Sequence, residues 1–295
     1  MEEDLNYTMI NTIKIVDESP QCTLGETPIY CDWLEKLIWV DILENRMYLM
    51  ALESFNIQTV HFPFLVSAVL PTTQKGMFLL VSQEGILGYD LLQEKIVKKW
   101  MDYPESETRP NEAQISNNGD LFFGTMDFNV EKNIGSWYRL TSKTLELTKL
   151  ESNVSIPNTL AFIDDQVIFG DTATQQLYRG KQNASNWKNK IAITPKIEGG
   201  GMDGSYFTEE QILINARWGH NKATVFNTLE SMSIVEEIKL PVNQPTSCVI
   251  ANYKNENLLF FTSAKKGLLR PSVNDGKIVV CKTNYTTRPI NRFYV

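Results

Sequence analysis

Leu121-Phe122-Phe123-Gly124-Thr125, entered from the turn Asn117-Asn118-Gly119-Asp120, sets the reading of the whole chain. The run has strand length and the aliphatic and aromatic content that suits a pleated, half-buried surface. The Asn-Gly pair before it is a hairpin signal, because tight hairpins turn through positive φ. Five other segments repeat this form. They are Ile38-Trp39-Val40-Asp41, Met77-Phe78-Leu79-Leu80-Val81, Val167-Ile168-Phe169-Gly170-Asp171, Ile212-Leu213-Ile214-Asn215-Ala216 and Leu258-Leu259-Phe260-Phe261-Thr262. The first residues of the six lie 39, 44, 46, 45 and 46 positions apart. A further strand candidate follows in most repeats, at 46–50, 85–89, 137–140, 176–178, 223–226 and 277–280. Long amphipathic helix patterns are almost absent. Six all-β units of about 45 residues predict a six-bladed β-propeller, which hides its sheet edges by radial repetition. A β-sandwich or a pair of small β domains competes with this reading, but six regular units without a Gly/Ser/Pro-rich linker favour one domain over residues 1–295. A propeller must close its ring, and Thr12-Ile13-Lys14-Ile15-Val16 is the strand expected to complete the last blade.

Composition bounds the function. The 295 residues are 42% hydrophobic and 21% charged, with a formal net charge of −7. A chain of this size buries roughly three quarters of its unfolded surface and needs no disulfide or metal to fold. An acidic body does not neutralise phosphates, so no nucleic-acid partner is expected. Cys22, Cys31, Cys248 and Cys281 form no C-x-x-C pair and are too sparse for a disulfide framework. Met1-Glu2-Glu3-Asp4 is the reverse of a signal peptide's basic start. No apolar run approaches the ~20 residues of a membrane helix. The expectation is a cytoplasmic protein with no membrane partner, a monomer or weak homo-oligomer.

Polar residues recur at one phase of the repeat. Glu26 lies 12 residues before Ile38, Asn111 10 before Leu121, Asn158 and Asp203 each 9 before Val167 and Ile212, and Thr246 12 before Leu258. Equal phase in a propeller means equal radius and height, so these side chains are expected at one mouth of the central channel. Carboxylates and carboxamides are costly to bury unless paired or bound to a cation. Glu26, Asn158 and Asp203 offer three hard oxygen ligands from separate blades, which suits Ca²⁺, Mg²⁺ or Mn²⁺. The competing reading is that these are solvated turn-capping residues, the usual fate of Asn and Asp.

Thr23-Leu24-Gly25-Glu26-Thr27-Pro28-Ile29-Tyr30, followed by Leu37-Ile38-Trp39-Val40-Asp41-Ile42, resembles the opening of the gluconolactonase/regucalcin (senescence marker protein) family. Arg109-Pro110-Asn111-Glu112 and Gly124-Thr125-Met126 resemble its Arg-Phe-Asn-Asp-Gly and Gly-Thr-Met block. Ile156-Pro157-Asn158-Thr159-Leu160-Ala161, Asp171-Thr172, Pro245-Thr246-Ser247-Cys248 and Phe261-Thr262-Ser263-Ala264 fit later blocks in order. The resemblance implies a six-bladed propeller that hydrolyses sugar lactones with one divalent cation, Ca²⁺ ahead of Mg²⁺, Mn²⁺ or Zn²⁺. It implies Glu26, Asn158 and Asp203 as metal ligands. A gap would put Gly200 at the last position, but the phase of Asp203 and its following Gly204 favour Asp203. It implies Arg109 and Asn111 as substrate contacts. Glu112 and Asp127 complete the expected substrate set, the first where the family has Asp, the second near the place where some members carry a further Glu. Pro110 stands where the family has an aromatic residue, stiffening the loop and extending Arg109.

For a lactone, Asp203 is the residue expected to position or deprotonate the attacking water. Arg109 offers a planar fork of donors to a carbonyl or hydroxyl. Asn111 is expected to serve a substrate hydroxyl and to play no part in holding the metal. The chain has only two histidines, His61 and His220, without H-x-H or H-E-x-x-H spacing, which disfavours histidine-ligated zinc and a Ser-His-Asp triad. Gly199-Gly200-Gly201 precedes a strand, not a helix, and reads as a channel loop rather than a phosphate site. A non-catalytic Ca²⁺- or ligand-binding propeller and a protein-interaction propeller remain as alternatives. The first shares the pocket without turnover. The second requires aromatic hot spots on an exposed face.

Overall fold

The computed structural model describes residues 11–193, 199–229 and 232–295. Its described residues form 24 strands in six four-stranded antiparallel sheets. This is a six-bladed β-propeller. The inner strands are β2 (Gly25–Cys31), β6 (Val66–Pro71), β10 (Thr108–Ile115), β14 (Pro157–Ile163), β18 (Gly201–Phe207) and β22 (Pro245–Tyr253). The six quoted apolar runs are the second strands, β3 (Lys36–Asp41), β7 (Met77–Ser82), β11 (Leu121–Asp127), β15 (Gln166–Asp171), β19 (Ile212–Trp218) and β23 (Glu256–Ser263). They read as continuous hydrophobic runs because they are buried on both faces between neighbouring blades, as Trp39, Phe123, Val167, Ile214 and Phe261 illustrate.

The ring closes by mixing the two ends of the chain. β1 (Asn11–Ile15) pairs with β24 (Val279–Lys282), Lys14 opposite Val280 and Ile15 opposite Val279. The sixth blade is therefore built in the order β1-β24-β23-β22. The fourth strands are the exposed edges. In β9 (Lys95–Met101) most side chains face water, and Lys95, Lys98 and Lys99 discourage edge-to-edge pairing.

The site is positioned by a defect that all six blades share. Each inner strand breaks register with its neighbour near one end: Glu26/Ile29, Val66/Ala68, Pro110/Ala113, Asn158/Leu160, Met202/Ser205 and Pro245/Ser247. A β-bulge of this kind re-aims side chains and leaves backbone groups free. Thr27 and Thr159 adopt φ of 46° and 61° there, a conformation that non-glycine residues rarely take. The unequal sequence offsets of Glu26 and Asn158 come from the hairpins beyond. Residues 32–35 connect β2 to β3, whereas residues 164–165 connect β14 to β15.

The bulges also bind blade to blade. Thr27 Oγ1 donates to Ser67 O at 2.9 Å, Asn111 Nδ2 to Pro157 O at 3.0 Å, and Thr159 Oγ1 to Asp203 O at 2.8 Å. Thr246 Oγ1 donates to Gly25 O, which completes the contact between the last blade and the first. Gly204 permits the close approach of the fifth blade to the sixth, since a Cβ there would lie 2.3 Å from Ser247 Oγ.

Candidate active site

Glu26, Asn158 and Asp203 lie at the same end of β2, β14 and β18, and all three are buried. Arg109, Asn111 and Glu112 occupy the matching end of β10 and are buried as well. Charged groups rarely enter an interior unless paired, so four of them around one channel mouth form a site and not a set of turn caps.

The hydrogen bonds fix which atoms face the channel. Asn158 Nδ2 donates to Thr172 Oγ1 at 2.8 Å, and that hydroxyl donates to Met202 O at 2.6 Å. The amide is thereby held with its Oδ1 turned the other way, where Asn111 Nδ2 donates to it at 3.1 Å. Asn111 Oδ1 in turn accepts from Arg109 Nη1 at 2.9 Å. The relay runs Arg109, Asn111, Asn158. Asn111 is thus joined to the residue implied as a metal ligand, which departs from the expectation that it serves only a substrate hydroxyl. Asp203 Oδ1 accepts from Gly204 N at 3.1 Å, and Glu26 Oε2 from Thr27 N at 3.3 Å. These lie across the bulges, so each carboxylate is oriented by its own distorted backbone.

The electrostatics follow from burial. Loss of water, reinforced by the charge of Glu112, raises the Glu26 carboxyl to about 8. Burial raises Glu112 to about 7. Asp203 is raised well above the ordinary carboxylate range, by burial first and then by Glu26 and Glu112. Arg109 is pulled down to about 10 by burial, against the opposing pull of Glu26, Tyr103 and Asp203. Three carboxylates and one guanidinium leave a formal charge of −2 when all are ionised. A divalent cation is the complement of that charge. Among the described residues, no three Asp, Glu, His or Cys side chains suffice to hold an ion by themselves. Asn158 adds a neutral oxygen beside the carboxylates of Glu26 and Asp203. Two carboxylates and a fixed carboxamide oxygen are hard donors and fit a hard divalent cation.

Asp127 behaves differently. Its Oδ2 accepts from the backbone of Glu131 and Lys132 at 2.9 and 3.1 Å, and these bonds lower its pKa. It caps the loop after β11 and does not enter the charge group around Asp203. Its expected substrate role has no support in this geometry. His220 is exposed and lies against Gly199 and Gly200, so it holds the channel loop from outside.

Several contributors were not legible in the sequence. Glu105 accepts from Thr125 Oγ1 (2.6 Å), Tyr138 OH (2.6 Å), Ser136 Oγ (2.8 Å) and Lys149 Nζ (3.1 Å), and these bonds lower it to about 2 despite its burial. That knot anchors the segment leading into Arg109. Asn215 Nδ2 donates to Asp203 O at 2.7 Å and fixes the bulge from behind. Neither carries a local motif; each acts through a partner distant in sequence.

Residues 24–265 match the SMP-30/gluconolactonase/LRE-like family model. The chain belongs to this family. A putative sugar lactone lactonase of Rhizobium meliloti is 28% identical over 251 residues, 83% of each chain. The L-arabinolactonase of Azospirillum brasilense is 25% identical over 286 residues, 92% of each. Among solved structures, a calcium-binding regucalcin from Agrobacterium tumefaciens superposes with a TM-score of 0.86 at 24% identity, covering 95% of this chain and 96% of that one. This family member therefore keeps the propeller over nearly its whole length.

Proposed function

We propose that this protein hydrolyses a sugar lactone to its acid with the help of one divalent cation held by Glu26, Asn158 and Asp203. The observation that carries the reading is the buried group of three carboxyls and one guanidinium at the bulged mouth, with the Asn158 oxygen turned toward it by Thr172. Relatives named as sugar lactone lactonases and as an L-arabinolactonase support the reaction class. Calcium is the favoured ion, in keeping with the calcium-binding regucalcin of the same fold.

Lactone hydrolysis adds water to the ring carbonyl and breaks the acyl–oxygen bond, so the ring oxygen leaves as a hydroxyl. When bound, the cation supplies positive charge to the carbonyl oxygen and acidifies nearby water. Asp203 takes the proton of the attacking water and returns it to the departing ring oxygen. Arg109 presents Nε, which has no partner among the described residues, while Nη1 is held by Pro110 O and Asn111 Oδ1. A buried donor without a partner is costly, and a substrate oxygen would satisfy it. Asn111 holds the Arg109 fork and the Asn158 oxygen at once. The described cysteines are all free and buried, which suits a reducing cytoplasm.

The test is acid release from a panel of aldono-1,4- and 1,5-lactones with the cation varied. Turnover that requires a divalent cation and fails in Asp203→Ala supports the proposal. Cation binding without turnover of any lactone would leave a binding propeller in its place.

A further inference from the structure

The channel has a second end. The inner strands run from the bulged mouth to the opposite one, and there the chain's last residues cross it as a strap. Thr286 Oγ1 donates to Glu210 Oε1 at 2.6 Å, and Arg288 Nη1 to Phe162 O at 2.7 Å. Asn291 Nδ2 donates to Ile115 O at 2.9 Å, and Arg292 Nη2 pairs with both oxygens of Asp32 at 2.9 Å. Phe293 exchanges backbone hydrogen bonds with Pro71 O (3.0 Å) and Thr73 N (2.9 Å), and its ring is fully buried against Trp100. The strap thus touches five blades: the fifth, fourth and third in turn, then the first and the second.

Beneath it lies a chamber of about 760 Å³. Its lining includes none of Glu26, Arg109, Asn158 or Asp203. Thr27, Glu112, Ser205 and Ser247, from four different blades, line its inner end, and Glu112 is the charged group it shares with the bulged mouth. Its walls include Ile29, Phe162, Tyr206 and Val249, and Arg288 and Asn291 roof it. The volume falls within the roughly 300–1,000 Å³ of small-molecule sites, which combine apolar walls with a few convergent polar groups.

We propose that this chamber is a second ligand site, for an uncharged amphipathic molecule with a flat apolar body and a hydroxyl, amide or ketone end. The charged wall groups are already engaged, which leaves none to hold an ionic ligand. Glu112 Oε1, at the inner end, accepts from Ala113 N at 3.1 Å. Arg288 in the roof is bound to Phe162 O and lies 3.9 Å from Glu209. The other charged wall residue, Asp32, is already paired with Arg292. The polar groups left for a neutral ligand include the Gln114 amide and the Ser247 hydroxyl, for which no donated hydrogen bond is seen among the described residues. The apolar body would replace water against Ile29, Phe162, Tyr206 and Val249.

The probe is prodan, an uncharged naphthalene ketone whose emission moves to the blue in apolar surroundings, titrated into the full chain. The expected result is one saturable site per chain with blue-shifted emission. Glu26→Ala, at the opposite mouth, should leave its affinity unchanged. Val249→Trp and Gln114→Trp, which fill the chamber from two blades, should each weaken binding about tenfold or more. Amide exchange across Thr286–Phe293 should slow when the probe is bound, a readout that needs no substitution. Absence of saturable binding, loss of binding in Glu26→Ala, or unchanged binding in whichever filled variant keeps its fold would overturn the proposal. So would strap exchange that ignores the probe.

Discussion

The two ends of the channel are made from the same six strands, yet they are opposite in kind. At one end every strand carries a bulge, and buried charge collects there: Glu26, Arg109, Glu112 and Asp203. At the other the strands run in regular register, the walls are largely apolar, and a strap closes the mouth. Bulges free backbone N–H groups and turn side chains inward, so the bulged end can hold buried carboxylates. The regular end has no such groups to offer. Chemistry and closure are thereby assigned to different ends of one scaffold.

The sharpest way to break this comparison is to remove the proposed base. Asp203→Ala is expected to lower lactonase turnover by about 10²–10⁴-fold at saturating cation, the usual worth of a positioned acid–base group. Circular dichroism should show the fold unchanged, because the side chain faces the mouth. Near-normal turnover would take Asp203 out of the mechanism.

The strap supplies the reverse experiment. Phe293→Ala removes a fully buried ring and is expected to cost about 3 kcal/mol of stability, the lower part of the range for Phe→Ala in a core. Thermal or urea unfolding measures it. At a temperature where the variant stays folded, its kcat/KM should match the parent. A tenfold fall would mean that the two ends are not separate.

Acid–base linkage distinguishes the ends next. Glu26 and Glu112 are raised from 4.5 to about 8 and about 7. A raised carboxyl pKa means that the folded protein holds the proton more tightly than the unfolded chain. The stability these groups contribute is full below about 4.5 and is lost as pH climbs through 7 to 8. Without divalent cations, the melting temperature should therefore fall between pH 5 and pH 8.5. Calcium should reverse the fall, most strongly at the alkaline end, by about 2.7 kcal/mol at a hundredfold excess over Kd. A flat profile would show that these carboxyls are not buried in common.

The smallest effect tests how recognition and metal holding are divided. Asn111 donates to Asn158 Oδ1 and accepts from Arg109, so Asn111→Ala should lower kcat/KM by about 1–3 kcal/mol on hydroxylated and bare lactones alike. A loss confined to hydroxylated lactones would return Asn111 to pure substrate binding.

The marker strands were legible because burial on both faces writes them as unbroken apolar runs, such as Leu121-Phe122-Phe123. Glu26, Asn158 and Asp203 were legible because a repeat converts sequence phase into position in space. The fourth strands were not, since β9 and its equivalents bury little and carry no apolar pattern. The strap was also hidden. Its hold on the fold lies in single contacts such as Arg292 with Asp32, 260 residues apart, and no local pattern marks such a pair. Asp127 was legible in part: its place beside Gly-Thr-Met points to substrate, while the turn its carboxylate caps rests on the backbone of Glu131 and Lys132, which no local pattern marks.

The central claim is that Glu26, Asn158 and Asp203 share one divalent cation. A crystal structure grown with Mn²⁺, read by its anomalous signal, tests this most directly. The account predicts a single strong peak at the bulged mouth, with one oxygen of each side chain about 2.0–2.6 Å from it. A peak elsewhere, or three side chains more than ~8 Å apart and so beyond any shared coordination, would contradict it.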